Sequence, residues 1–192
     1  MQATPESVAE EVLNLLASRG GGEYFGEAVT KLEHALQCAW RAREAGAGEE
    51  LVLAALLHDI GHLLDAEDAI RDPRVGVVNH DAIGAAWLAA RGFSPRVARL
   101  VGGHVAAKRY LTAAEPGYAE RLSPASRETL ALQGGPLDAA SAAAFAAQDG
   151  LRDLLRLRVW DELAKDPDWR GPGLDAYRPL LLRHLGGKPE AP

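Results

Sequence analysis

The chain has one cysteine, Cys38, in 192 residues, so no internal disulfide can form and a reducing, cytoplasmic setting is expected. Long apolar runs are missing too. The longest, Leu51–Leu57, falls far short of the roughly 18 residues read as a membrane span, and MQATPESVAEEVLNLL at the N-terminus has no basic stretch leading into an apolar one. No membrane partner is expected. Positive charge is not in excess: 21 Lys+Arg face 27 Asp+Glu for a net charge of -6, which argues against a nucleic-acid partner. Any anionic ligand must then be met by a local cluster of cations. Signals for strands are thin, because β-branched and aromatic residues are scattered.

Ala, Leu, Glu and Arg dominate, and apolar positions recur at spacings of three and four, which predicts an all-α fold. The length and the 47% apolar content suit one domain over 1–192, with a core of about 24–165 and a frayed tail at 186–192. Helices are expected near 5–18, 27–46, 50–63, 80–91, 94–109, 124–132, 137–147, 150–165 and 174–185. Ser94-Pro95, Ser123-Pro124 and Thr4-Pro5 each put a capping hydroxyl before a proline at the first helical position, and Gly46, Gly92 and Gly186 suit helix stops. Residues 64–79 and 110–123 lack helical patterning, and long loops in a compact helical domain tend to be functional.

The sharpest chemical feature is LVLAALLHDIGH (51–62), a nearly all-apolar helix ending in His58 and Asp59, with His62 one turn later. A His–Asp pair at the end of a buried helix is costly to desolvate unless something satisfies it, and a metal cation satisfies both. His34, His58, His80 and His104 fall 24, 22 and 24 residues apart, about one helix plus its connection, so each can enter one centre from its own helix. Asp161 sits on a later amphipathic stretch, LRDLLRLRVWDELAK. Four imidazoles with Asp59 and Asp161 form a mixed N/O set suited to iron, manganese or zinc. Cys38, four residues after His34, reads as core packing, and no role is assigned to His184.

The order His34, His58-Asp59, Asp161 resembles the HD-domain superfamily of metal-dependent phosphohydrolases, and His80 with His104 resembles its two-metal subset. EYFGEAVTKLEHALQCA (23–39), VLAALLHDIGH (52–62), HVAAKRYL (104–111) and LSPASRETLALQGGPL (122–137) resemble the organophosphonate-cleaving HD-domain oxygenases, which are mixed-valent di-iron enzymes. The resemblance implies an HD-domain helical bundle with a buried dinuclear site, two iron ions (Fe(II)/Fe(III)) and O2 as co-substrate. It assigns His34, His58, Asp59 and Asp161 to the first iron, and Asp59 (bridging), His80 and His104 to the second. It gives Tyr24 as a cap on the second iron until substrate displaces it, and Glu27 as the acid that holds this tyrosine and faces the substrate's amino end. Glu27 would share a helical face with Tyr24 if the helix begins there. His62, Lys108, Ser126 and Arg158 would form the phosphonate cradle, with Arg156 a competitor for the role of Arg158, and Gln133 would offer an amide.

The implied reaction is O2-dependent C–P cleavage of a 1-hydroxyphosphonate with release of phosphate. 2-Amino-1-hydroxyethylphosphonate, giving glycine, is preferred because Glu27 offers a carboxylate; its trimethylammonium analogue would give glycine betaine. The alternative is an HD-type phosphohydrolase acting on a phosphomonoester or nucleotide, which gives no reason for Tyr24 with Glu27 or for the added His80 and His104. The only partner expected is the small-molecule organophosphonate, to a monomer or small homo-oligomer. Residues 64–79 resemble the family least.

Overall fold

The computed structural model describes residues 3–187. In it, α1 (Pro5–Arg19) starts behind Thr4, whose hydroxyl accepts from the Ser7 N–H, and ends at Gly20. A hairpin of β1 (Glu23–Tyr24) and β2 (Glu27–Thr30) follows, then α2 (Lys31–Glu44), α3 (Glu49–Leu57) and a 3-10 turn at Ile60–Leu63. A second hairpin pairs β3 (Arg71–Asp72) with β4 (Gly76–Val77). It leads into α4 (His80–Ala89), α5 (Pro95–Ala114), α6 (Tyr118–Arg121), α7 (Pro124–Leu132), α8 (Ala139–Ala146) and α9 (Leu151–Leu163). A 3-10 turn at Leu174–Tyr177 and α10 (Arg178–Leu185) complete the described chain. The fold is all-α. Among the described residues no helix is long and apolar enough to cross a membrane.

The helix α3 is buried on every side, Leu51 through Leu57, and packs against α2, α5 and α9; α5 also packs on α4 and α9, and α1 on α10. This central placement explains why its apolar residues show no single face. It also brings the chain's His–Asp pair, just past its C-terminus, into the middle of the bundle. Close approach of the Ile60–Leu63 turn to α4 depends on Gly61, where a Cβ would lie 2.0 Å from the His80 carbonyl oxygen.

Several boundaries differ from expectation. The helix expected from 27 begins at Lys31, because Thr30 and Glu33 form a capping box: the Thr30 hydroxyl accepts from the Glu33 N–H at 3.1 Å, and Glu33 accepts from the Thr30 N–H at 2.7 Å. Tyr24 and Glu27 are therefore not first-turn neighbours. They are cross-strand partners joined by a two-residue turn, Phe25 (φ 46) and Gly26 (φ 81), with the two positive φ values of a tight hairpin. The helix expected over 50–63 stops at Leu57, and the stretch 110–123 is not a loop, since α5 runs to Ala114 and α6 follows. Of the tail at 186–192, residues 188–192 lie outside the described residues.

Candidate metal centre

Each expected ligand arrives from its own element: His34 from α2, His58 and Asp59 from the end of α3, His80 from the start of α4, His104 from the middle of α5 and Asp161 from α9. All four imidazoles are held alike. Each Nδ1 bonds a backbone carbonyl: His34 to Ala164 at 2.8 Å, His58 to Ala55 at 2.9 Å, His80 to Val77 at 2.9 Å and His104 to Val101 at 2.7 Å. A carbonyl only accepts, so Nδ1 carries the proton and Nε2 presents a lone pair, the tautomer of a metal-ligating histidine fixed by its outer partner.

These Nε2 atoms meet in two pairs. His34 and His58 approach to 3.0 Å, as do His80 and His104. Asp59 stands between the pairs. Its Oδ2 lies 3.7 Å from His34 Nε2 and 3.5 Å from His58 Nε2, while Oδ1 lies 3.2 Å from His80 Nε2 and 3.5 Å from His104 Nε2. Asp161 Oδ1 adds to the first pair, 3.3 Å from His34 Nε2 and 3.7 Å from His58 Nε2. Lone pairs facing each other at 3.0 Å repel unless a cation lies between them. Asp59 Oδ2 is also buried with no hydrogen-bond partner. The donor set therefore fits two metal ions, one per histidine pair, with one carboxylate reaching both.

The charge balance agrees. Burial alone would raise Asp59, yet His58, His104 and His80 hold its carboxyl well below the usual carboxylate range. Burial likewise opposes the ionised form of Asp161, which Arg158, His34 and His58 hold well down. Burial works against a charged His58 as well, but the neighbouring Asp59 drives it well above the ordinary imidazole value.

A cavity opens at the second pair, with Asp59, His80, His104 and Asp161 in its lining; His34 and His58 do not line it. Tyr24 also lines the cavity, with its ring stacked on His34 of the first pair (3.9 Å, 15°), and burial, then Asp59 and Asp161, push its phenol well above its ordinary value. Phe25 packs on His62 at 4.6 Å, and His62 stacks on His80 at 3.9 Å. His62 Nδ1 accepts from the Val77 N–H at 3.2 Å; burial, then the positive potential of His80, keep this ring neutral. Its Nε2–H is therefore a donor.

Cations form one wall. Lys108, 4% exposed, donates to Thr129 Oγ1 at 2.8 Å, and burial, with Arg158 nearby, lowers its ammonium to about 7. Arg158 donates through Nη1 to Asp161 Oδ2 at 2.5 Å, and its Nη2 is buried without a partner. Lys165 donates to Glu27 Oε1 at 2.6 Å, Ser123 Oγ at 2.9 Å and Ser126 Oγ at 3.2 Å. Burial would raise Glu27, but the Lys165 and Ser123 hydrogen bonds hold it lowered, as a carboxylate. Gln133 donates weakly to the Val78 carbonyl at 3.4 Å, and its own carbonyl oxygen is buried and unpaired.

A family model described as HD domain matches residues 32–133. The chain belongs to the HD-domain family. Relatives similar along most of their length include the [1-hydroxy-2-(trimethylamino)ethyl]phosphonate dioxygenase (glycine-betaine-forming) of Leisingera caerulea, 38% identical over 94% of this chain and 93% of its own. The hydroxymethylphosphonate dioxygenase of Gimesia maris is 36% identical over 92% of this chain and 88% of its own. An uncharacterized protein of Acanthamoeba polyphaga mimivirus is 37% identical over 91% and 80%.

In this HD-domain chain Tyr24, Glu27, His62, His80, His104, Lys108, Ser126, Gln133 and Arg158 line the cavity with Asp59 and Asp161, while His34 and His58 meet Asp59 and Asp161 without lining it. Arg156 does not compete with Arg158. It turns outward, donates to the Ala45 carbonyl at 3.3 Å and lies over Trp160. Cys38 is buried in the core, and His184 accepts from the Ser94 N–H at 3.1 Å, at the start of α5. Sequence reasoning missed Phe25, Thr129 and Lys165. Thr129 carried a signal, being three residues after Ser126 on one helix face, whereas Lys165 lies past the end of α9 and carried none.

Proposed function

We propose that the chain is an O2-dependent dioxygenase that cleaves the C–P bond of a small 1-hydroxyphosphonate, with iron in both metal positions. The observation that carries this is Asp59, whose two oxygens face two separate histidine pairs at a cavity walled by Lys108 and Arg158. The activities of two relatives, both phosphonate dioxygenases, support the reaction class. A mixed-valent iron pair, when bound, would supply the redox chemistry with O2. Overall, RCH(OH)PO3(2−) and O2 give RCO2(−), inorganic phosphate and a proton.

Everything else falls to the chain's own residues. Lys108, the unpaired Nη2 of Arg158 and the hydroxyls of Ser126 and Thr129 hold the phosphonate dianion, a set of cationic and neutral donors placed where water is scarce. The neutral Nε2–H of His62 donates across the second metal position, so it orients an oxygen without adding charge. Tyr24 occupies part of the cavity and must yield to substrate. Glu27, kept ionised by Lys165, faces the substituent R. We assign 2-amino-1-hydroxyethylphosphonate as the substrate, giving glycine, because an ionised carboxylate suits an ammonium. The aromatic rings lining the cavity, Tyr24 and Phe25, both sit at the hairpin turn, and Lys31 already lies over Phe25 at 4.9 Å. That leaves little of a cage for a trimethylammonium group. The HD unit is taken as a single functional domain.

The test is anaerobic loading with Fe(II), limited oxidation, and phosphate release from 2-amino-1-hydroxyethylphosphonate, its trimethylammonium analogue and hydroxymethylphosphonate, with and without O2. The expected result is phosphate and glycine only with O2, one O2 per phosphate. Phosphate released without O2, from a phosphomonoester, would replace this function with hydrolysis.

A further inference from the structure

Arg158 is an unusual cation for a phosphonate wall, because two of its three nitrogens are already committed to other side chains of the protein. A guanidinium is planar, so fixing two of its edges fixes the direction of the third. Here Nε donates to Glu162 Oε1 at 2.8 Å and to Tyr118 Oη at 3.1 Å, while Nη1 donates to Asp161 Oδ2. Tyr118 in turn donates its hydroxyl to Glu162 in a very short contact. Only Nη2 is left, buried and unpaired, on a side chain that lines the cavity. Tyr118 is itself held independently of the metal ligands: it is 4% exposed and packs with Leu122 and Leu130 in a small apolar cluster on α6 and α7.

We propose that Tyr118 and Glu162 are positioning residues that aim the free Nη2 of Arg158 at the phosphonate, and so set how tightly the dianion is held. This rests on the dioxygenase function proposed above. Arg158 otherwise has another choice. It already pairs with Asp161 and Glu162, three and four residues on along α9, and Tyr118 is the contact that comes from another element; without that hydroxyl the Arg158–Glu162 pair can shift along α9 and turn Nη2 away from the cavity. The stretch carrying Tyr118 is part of 110–123, whose function the sequence left open; its part would be to brace an arginine that belongs to another helix.

The iron-loaded wild type, Tyr118→Phe, Glu162→Gln, Arg158→Lys and the double variant Tyr118→Phe/Arg158→Lys would be compared, with Tyr110→Phe as a control outside the cavity. Four quantities are read: KM and kcat for phosphate release, the Kd of inorganic phosphate by calorimetry, and iron content. Tyr118→Phe keeps the packed ring, so we expect KM and the phosphate Kd to rise together by about tenfold, with kcat within about twofold and iron unchanged. Glu162→Gln should move the same two quantities in the same direction. The double variant should be no worse than Arg158→Lys alone, because Tyr118 acts only through that arginine. Unchanged KM and phosphate Kd in Tyr118→Phe, or losses that multiply in the double variant, would overturn the proposal. If the wild type released no phosphate with O2, the dioxygenase function would fall, yet the phosphate Kd series would still decide the role of Tyr118.

Discussion

Replacing Gly61 by alanine tests whether the second metal position depends on how closely the Ile60–Leu63 turn approaches α4. The added Cβ would lie 2.0 Å from the His80 carbonyl oxygen, 2.7 Å from its carbonyl carbon and 2.9 Å from its Cα, where ordinary contact begins at 3.4 Å. The shortfall is about 1.4 Å, and every obstructing atom is backbone, so no side chain can swing aside; the start of α4 must move. Overpacking of this kind costs about 1–3 kcal/mol. For a chain of this length, ~1 kcal/mol lowers Tm by roughly 2–4 °C, so a fall of about 2–12 °C is expected. The local effect is sharper. His80 moves with the backbone, and its Nε2 leaves positions 3.0 Å from His104 Nε2 and 3.2 Å from Asp59 Oδ1. His34, His58 and Asp161 come from α2, α3 and α9 and stay in place. Gly61→Ala should therefore bind close to one iron per chain where the wild type binds two, read by elemental analysis alongside a thermal melt. Two irons per chain with an unshifted Tm would refute the reasoning.

Three further outcomes follow from the same geometry. His104→Ala should also leave about one iron per chain and no turnover, whereas Asp59→Ala should lose both, since its two oxygens face both pairs; equal metal content in the two variants would contradict a shared carboxylate. Lys108 has its ammonium lowered to about 7 by burial and by Arg158, and only the charged form attracts a dianion. As pH rises through about 7 the charge is lost, so kcat/KM should fall, and Lys108→Arg, which stays charged, should flatten that fall in a pH profile. Glu27→Gln should lower kcat/KM for 2-amino-1-hydroxyethylphosphonate roughly 10–100-fold, as expected for losing a hydrogen bond to a charged group, while hydroxymethylphosphonate is affected much less and iron content is unchanged. An equal loss on both substrates would remove Glu27 from amine recognition.

What could be read from the sequence divides along physical lines. Periodicity exposed most of the helices because most bury one face, and Ser94, Ser123 and Thr4 marked starts that the structure reproduces. The near-regular spacing of His34, His58, His80 and His104 put one imidazole on each of four elements that do converge. The hairpin at 23–30 was hidden because two strands of two and four residues leave no alternation to read. Its end was nonetheless marked by the Thr30–Glu33 capping box. Lys165 was missed for another reason: its bonds to Glu27, Ser123 and Ser126 join residues far apart in the chain, and no local pattern reports such contacts.

The hairpin has a consequence for how this protein could be changed. Every imidazole and carboxylate of the two histidine pairs and their shared aspartates comes from a helix or a helix end, whereas Tyr24, Phe25 and Glu27, which line the same cavity, come from one eight-residue ribbon, 23–30. That ribbon has its own turn, and its outlet is fixed by the Thr30 cap. It is thus a natural cassette. Ribbons grafted from relatives of different activity would swap what the cavity accepts while the helical scaffold with its histidine pairs stays as it is.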